Sequence, residues 1–251
     1  MNKVAVVTGG SGTIGSAIAK KLSDNYYDVI VTYNTSKDEA EKTLNTLNVN
    51  GNHMIFNVDV SSSDFVKSMF KHIYERYGEI DLLVNNAGYT KSFNKNQIND
   101  IPSDVIDKMM GCNIKGVFYC SREFLNLIDG DRSTNIKDFN IINIGSNSTY
   151  TLNASNLIYV ATKSAVISLT KSFAKDYGEK VRVNCILPGL VRSKLTSNST
   201  DSRFSYVKDI TPLGRLCQPE DIADTVLSIT EDMKFINGQC VTVDGGRTLN
   251  D

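Results

Sequence analysis

Short runs of β-branched and apolar residues recur along the chain at residues 4–7, 29–32, 54–58, 82–84, 141–144, 181–186 and 240–243, and they predict seven strands. Several runs are almost wholly apolar, as expected of strands covered on both faces. Most of the intervening segments are long enough to carry a helix. The expected architecture is therefore α/β, a doubly wound parallel sheet with crossover helices on both faces. Two helices can be read from their period. Ile158, Ala161, Thr162, Ala165, Leu169 and Phe173 share one stripe that Gly178 is placed to end, and another helix runs from about Phe65 to Tyr77 with Gly78 as its stop. No repeat and no Pro- or Gly-rich linker interrupts the pattern, so residues 1–251 are expected to form a single domain. Residues 197–202 have a turn-like composition and read as a surface loop or as part of a mobile substrate lid over about residues 190–210.

Composition narrows the partners. With 41% hydrophobic and 22% charged residues the chain is an ordinary globular sequence, and 251 residues can bury about three quarters of their unfolded surface. Its 27 basic and 28 acidic residues give a net charge of −1, which offers no electrostatic reason to expect nucleic acid or an anionic membrane. A small molecule becomes the expected ligand. Five widely spaced cysteines with no C-x-x-C pair fit neither a disulfide framework nor a zinc ribbon, and suit a reducing compartment. The first residues hold too short an apolar run for a signal peptide, and no later stretch reaches the roughly 18 apolar residues of a membrane span. A cytoplasmic location follows as the expectation.

The first predicted strand leads into Thr8-Gly9-Gly10-Ser11-Gly12-Thr13-Ile14-Gly15 and then a helix-like segment from Ser16 to Leu22. Gly10, Gly12 and Gly15 satisfy G-x-G-x-x-G in the strand–turn–helix context of a Rossmann-type dinucleotide site, where bare backbone N–H groups and the helix dipole meet a pyrophosphate. A tight turn with no ligand is the alternative. Such sites usually place Asp or Glu after the second strand to bind the ribose hydroxyls. Here the segment reads Tyr33-Asn34-Thr35-Ser36-Lys37. No carboxylate repels a 2′-phosphate, and hydroxyls, an amide and a cation can bind one, so NADP(H) is favoured over NAD(H).

Tyr159 and Lys163 lie four residues apart on the periodic helix, so phenol and ammonium emerge on one face, where the cation favours phenolate. The spacing alone discriminates nothing, because Tyr33 and Lys37 repeat it. Ser146 makes the difference: it ends the fifth predicted strand, thirteen residues before Tyr159, at the edge where α/β sheets bind ligands. The two histidines, His53 and His72, fall at a strand start and in a helix, so neither a serine-hydrolase triad nor a metal site is expected. Asp28, Asp81 and Asp244 each abut a strand and read as turn or cap residues.

Further signatures follow in order: Asp59-Val60 after the third strand, Asn85-Asn86-Ala87-Gly88 after the fourth, Asn113 in a helix, Pro188-Gly189 after the sixth, and Gly238-Gln239 and Asp244-Gly245-Gly246 near the end. With these the chain resembles the short-chain dehydrogenase/reductases over essentially its whole length. The resemblance implies that Ser146, Tyr159, Lys163 and Asn113 are catalytic. Tyr159 would exchange a proton with the carbonyl oxygen, Ser146 would hydrogen-bond that oxygen, Lys163 would also hold the nicotinamide ribose, and Asn113 would fix a water. It also implies that Gly9, Ser11, Gly12, Thr13, Ile14 and Gly15, then Asn34, Thr35 and Ser36, then Asp59 and Val60, bind the adenosine and diphosphate. Asn86, Ala87 and Gly88 would lie beside the cofactor, and Pro188, Gly189 and Ser193 would meet the nicotinamide end.

Within that family, Thr211-Pro212-Leu213-Gly214-Arg215 and Pro219-Glu220-Asp221-Ile222-Ala223 resemble the 3-oxoacyl-acyl-carrier-protein reductases. Thr13 in the glycine turn, the loop at residues 147–156 without the usual glycines and glutamine, and the long, less basic stretch at residues 129–138 depart from that pattern. An NADPH-dependent reductase of 3-oxoacyl thioesters stands first. A reductase of another ketone, sugar or polyol, and a catalytically silent nucleotide-binding module, stand as alternatives. The resemblance implies a homotetramer paired through the helix holding Cys112 and Phe118 and the helix holding Tyr159. An acyl carrier protein is a candidate partner, through Arg192, Lys194 and Arg203, which outnumber Asp201 beside the lid.

Overall fold

Seven strands, β1 (Lys3–Val7), β2 (Tyr27–Tyr33), β3 (Met54–Asn57), β4 (Leu82–Asn85), β5 (Phe139–Ile144), β6 (Val181–Pro188) and β7 (Cys240–Val243), pair in the order β3-β2-β1-β4-β5-β6-β7. Every pairing is parallel. The computed structural model describes residues 2–93, 98–130, 138–197 and 199–250. Residues 131–137 of the long stretch and Asn198 of the candidate lid lie outside them. All seven strands stand where the apolar runs place them. β2 starts two residues before its run because Tyr27, buried at the strand start, pairs with Lys3 and hydrogen-bonds Glu231.

Alternate residues of the central strands feed two cores, as the pleat demands. Ala5, Val7, Val29 and Val31 pack with Ile18 and Leu22 of α1 (Thr13–Ser23) and with Ile222, Val226 and Ile229 of α9 (Pro219–Glu231). Val4, Val6 and Ile30 face the other way, onto Met69, Phe70 and Ile73 of α3 (Ser63–Tyr77) and Phe124 of α5 (Gly116–Gly130). The chain winds outward from β1 to β3 on one side and from β4 to β7 on the other, so a crevice opens at the carboxyl ends of β1 and β4. Among the described residues no helix is long and apolar enough to cross a membrane.

Helix ends follow local chemistry. Ser62 caps α3 by accepting from the Phe65 amide at 3.5 Å, and Gly78 ends it at φ +78°, the left-handed conformation that glycine adopts freely. Gly178 also ends its helix, α7 (Leu157–Tyr177), but at φ −60°, so a left-handed turn is not its purpose. A Cβ there would lie 2.6 Å from the Ala174 carbonyl oxygen and 2.9 Å from Asn237 Nδ2. Glycine leaves room for Asn237, which donates to that carbonyl at 3.0 Å and accepts from the Val183 amide at 2.8 Å.

The apolar stripe expected on α7 needs correction. The buried line runs through Thr162, Lys163, Val166, Thr170, Phe173 and Ala174, while Ala161 is exposed and Ile158, Ala165 and Leu169 are half-buried. Polar groups on the sheet claim the inward face. Asn85 Nδ2 donates to Asn143 Oδ1 at 2.9 Å, and Asn143 Nδ2 donates to Thr170 Oγ1 at 2.9 Å, all inside the core.

The remaining acid–base residues are structural. His53 Nδ1 accepts from the Val29 amide and Nε2 donates to the Asn48 carbonyl, and His72 packs its ring on Phe56. Asp28 and Asp81 accept backbone amides of Asn52 and Val4, and Asp244 accepts from Gly246 and Thr248.

Asn143→Ala removes the middle of the buried amide chain and should cost about 1–3 kcal/mol of stability, read by urea unfolding. A loss below about 0.5 kcal/mol would show that the chain carries no weight.

Candidate active site

Thr8, buried just past β1, ties the carboxyl ends of β1 and β4 together. Its Oγ1 donates to the Val84 carbonyl at 3.2 Å and accepts from the amides of Asn86 and Ala87 at 2.9 and 3.0 Å. Asn86 Nδ2 answers by donating to the carbonyls of Thr8 and Gly9 at 3.0 and 3.1 Å. The turn is thereby pulled so tight that only glycine fits. Gly9 sits at φ +61°, and a Cβ on Gly15 would lie 2.4 Å from the Gly9 carbonyl oxygen and 2.7 Å from Asn86 Nδ2. No side chain caps α1 at Gly12, so its first amides and positive dipole end are left to an anion.

A cleft of about 470 Å³ opens above this turn. Gly9, Ser11, Gly12, Thr13 and Ile14 form its floor, with Asn34, Thr35 and Ser36 at one end beside Asp59 and Val60. Asn86, Ala87 and Gly88 form the middle, and Ser146, Tyr159, Lys163, Pro188, Gly189 and Ser193 surround the far end. The structure therefore brings together nearly all the residues picked from the sequence. Gly15 and Asn113 stand outside the lining: Gly15 allows α1 to close on the turn, and Asn113 lies behind Tyr89.

The hydroxyl end is built by one helix cap, the turn after β5 and a buried charge. Asn156, the N-cap of α7, accepts the Tyr159 amide at 2.8 Å and donates to the Lys91 carbonyl at 2.8 Å, which sets where the phenol enters the cleft. Lys163 is 5% exposed, and its Nζ donates to the Ile144 carbonyl at 2.7 Å, 5.8 Å from the centre of the Tyr159 ring. One of its three protons is spent, so the other two remain for the cleft. Ser146 Oγ accepts from the Ser148 amide at 3.2 Å, which leaves its own proton to donate. Asn113 sits in one wide π turn, Gly111–Lys115. Its Nδ2 donates to the Tyr89 carbonyl and Thr162 Oγ1 at 3.0 Å each, while Oδ1 accepts the Tyr89 amide at 2.8 Å. Both amide protons are committed, so only an Oδ1 lone pair is left for a water. Gly88 passes between this amide and Lys163.

The charges differ in part from those the sequence suggests. Lys37 pairs with Glu41 at 3.4 Å and is not in the lining, and Tyr33 and Lys37 belong to a strand and a helix rather than one helix face. Lys194 lines the cleft instead, held at 3.3 Å by Glu39, whose carboxyl it keeps below the usual range. Arg192 pairs with Asp201 at 3.1 Å and stacks on Phe204, so the cluster expected to attract an acidic partner is largely spent on internal contacts. Arg203 and Arg247, with Lys108 and Lys163, bring the lining cations among the described residues to five, against the single described carboxylate of Asp59. That carboxylate already accepts the Ser61 amide and hydroxyl. Asn156, Ser148 and Arg247 were not marked from the sequence, and Arg203 was marked only as part of a docking patch for an acidic partner. Position relative to Ser146 and Tyr159 could have suggested the first two, whereas the arginines reach the cleft only through the fold.

A bare glycine cradle, an uncapped helix start and an excess of positive charge fit an anionic dinucleotide. A family model described as enoyl-(acyl carrier protein) reductase matches residues 9–248. The chain belongs to the short-chain dehydrogenase/reductase family, nicotinamide-dependent oxidoreductases acting on CH–OH and C=O groups. It is similar to the 3-oxoacyl-acyl-carrier-protein reductase of Staphylococcus epidermidis, at 35% identity over 249 residues that cover 98% of this chain and 99% of the relative. A short chain dehydrogenase from Burkholderia cenocepacia in complex with NADP aligns at TM-score 0.86 and 25% identity over 98% of this chain and 97% of that one. A 3-ketoacyl-(acyl-carrier-protein) reductase from Brucella melitensis complexed with NADH shares the fold at TM-score 0.89 and 24% identity, covering 98% of each chain.

Gly15→Ala forces a methyl group against the Gly9 carbonyl and Asn86, so it should weaken nicotinamide-cofactor binding at least about tenfold in calorimetric titration. An unchanged Kd would mean that the turn does not hold the cofactor.

Proposed function

We propose that the protein is an NADPH-dependent ketoreductase whose substrate is a 3-oxoacyl thioester. The observation that carries this reading is one cleft in which the Ser146 and Tyr159 hydroxyls and the Lys163 ammonium share a wall continuous with the glycine turn. When bound, the nicotinamide cofactor supplies the hydride. Ser146 donates a hydrogen bond to the substrate carbonyl oxygen, and Tyr159 gives that oxygen its proton. Lys163, near Tyr159 and fixed by the Ile144 carbonyl, stabilises the phenolate left behind and has donors for a ribose hydroxyl. Asn113 holds the Tyr89 peptide and keeps the wall opposite in place.

Among the described residues, five lining cations against one carboxylate, and no carboxylate at Asn34, Thr35 and Ser36, support NADPH over NADH, with Lys194 in the role expected of Lys37. The described residues of the 190–210 span, with a short turn at Lys194–Thr196 and α8 (Asp201–Ile210), supply one wall of the cleft and serve as the substrate lid. The half-buried Ile158, Ala165 and Leu169, with the exposed Phe118, offer the face for homotetramer pairing through α5 and α7. The S. epidermidis relative supports the 3-oxoacyl substrate. A second reading, a hydroxylated ketone or sugar, is favoured by the polar residues Thr90, Ser92, Asn153, Ser155 and Ser199 in the lining.

Purified protein should oxidise NADPH with an acetoacetyl thioester at least about tenfold more efficiently than NADH, and should leave a crotonyl thioester unreduced. Tyr159→Phe should lower turnover at least about a thousandfold while NADPH still binds. A variant keeping a tenth of the wild-type rate would refute the role of Tyr159, and turnover of sugars alone would favour the second reading.

A further inference from the structure

Ser148 is the first residue of α6 (Ser148–Thr151), two positions beyond Ser146. It lines the cleft yet is only 3% exposed, and its Oγ makes no hydrogen bond among the described residues. A buried hydroxyl in that condition is costly, and a protein tolerates it most readily where a ligand completes it. Neighbouring hydroxyls differ: Thr90 and Ser155 bond each other, and Thr149 Oγ1 donates to the Ser146 carbonyl.

The turn that carries Ser148 is held firmly. Asn147 donates through its amide to the Pro188 carbonyl at 3.0 Å and through Nδ2 to Asp244 at 3.1 Å. The Ser148 carbonyl accepts from Leu152 at 3.0 Å, and the Ser148 amide reaches Ser146 Oγ at 3.2 Å. Ser146 and Ser148 thus occupy adjoining places on one rigid turn. Both residues line the same cleft, and the Ser148 amide touches the Ser146 hydroxyl that the substrate carbonyl would meet.

We propose that Ser148 is a specificity-determining residue that hydrogen-bonds a second oxygen of the substrate, so that the enzyme selects ketones bearing an oxygen function within two carbons of the carbonyl reduced. The inference rests on the ketoreductase reading above and serves both of its substrate classes, since a 3-oxoacyl thioester carries its second oxygen on the thioester carbonyl and a sugar on a neighbouring hydroxyl.

The test compares an acetoacetyl thioester with the matched thioether that lacks the thioester oxygen. Wild-type protein should favour the thioester about tenfold or more in kcat/KM, and Ser148→Ala should erase most of that preference by acting on the thioester alone. Its thermal midpoint should stay level or rise, because the lost hydroxyl bonds nothing among the described residues. Ser148→Thr, which keeps a hydroxyl, should retain part of the preference. An equal loss on both substrates with a lowered midpoint would make Ser148 structural, and an unchanged preference would also overturn the proposal. If wild-type protein reduces neither thioester nor thioether, the 3-oxoacyl reading fails on its own, and dihydroxyacetone against acetone poses the same question of Ser148.

Discussion

Everything in the site hangs on the hydrogen bonds between Thr8 and Asn86, which lock the ends of β1 and β4 where the crossovers diverge. One buried hydroxyl serves three backbone groups of the β4 end, and one side-chain amide serves two carbonyls of the glycine turn. With both strands pinned, the turn has no freedom to open for a side chain. Gly9 must take a left-handed backbone, and α1 must begin against the Gly9 carbonyl. A surface of bare amides at a helix start follows from packing, and its affinity for diphosphate follows from that surface.

The same logic extends along the cleft to the chemistry. The Asn85–Asn143–Thr170 chain anchors α7 to the sheet through polar contacts, which rotates Lys163 inward and places Tyr159 on the wall. A buried ammonium needs acceptors, and the Ile144 carbonyl one residue before Gly145-Ser146 supplies one. Gly145 is itself obligatory there, because a Cβ would lie 2.4 Å from Leu187 and 2.9 Å from the Cys185 sulfur. Strand β5 therefore delivers the Ser146 hydroxyl and a hold on Lys163 within three residues.

Much of this was legible in the sequence because it depends on strand patterns and local turns. The seven apolar runs mark the strands, and Gly9 to Gly15 mark the nucleotide turn by their neighbours alone. The inward face of α7 was legible only in part: the stripe names Thr162 and Phe173, which are buried, but also Ile158, Ala161, Ala165 and Leu169, while the buried amides of Asn113 in the π turn and Asn143 on β5 hold Thr162 and Thr170 inward. The fate of the cations was hidden for a similar reason: Lys37, Arg192 and Lys194 are equivalent as residue types, and only the fold shows Lys37 turned to Glu41, Arg192 to Asp201, and Lys194 bridging to Glu39 beside the cleft. Ser148 differs from its loop neighbours in sequence by nothing; its burial alone sets it apart.

A nicotinamide cofactor bound as proposed lies along this cleft from the glycine turn to Tyr159. Amide hydrogen exchange with and without NADPH tests it directly, independent of any substrate. Saturating NADPH should slow exchange together at residues 9–15, 86–88 and 189–193, three segments distant in sequence that meet only in this fold. Protection confined to other segments, or none at saturating cofactor, would contradict the account.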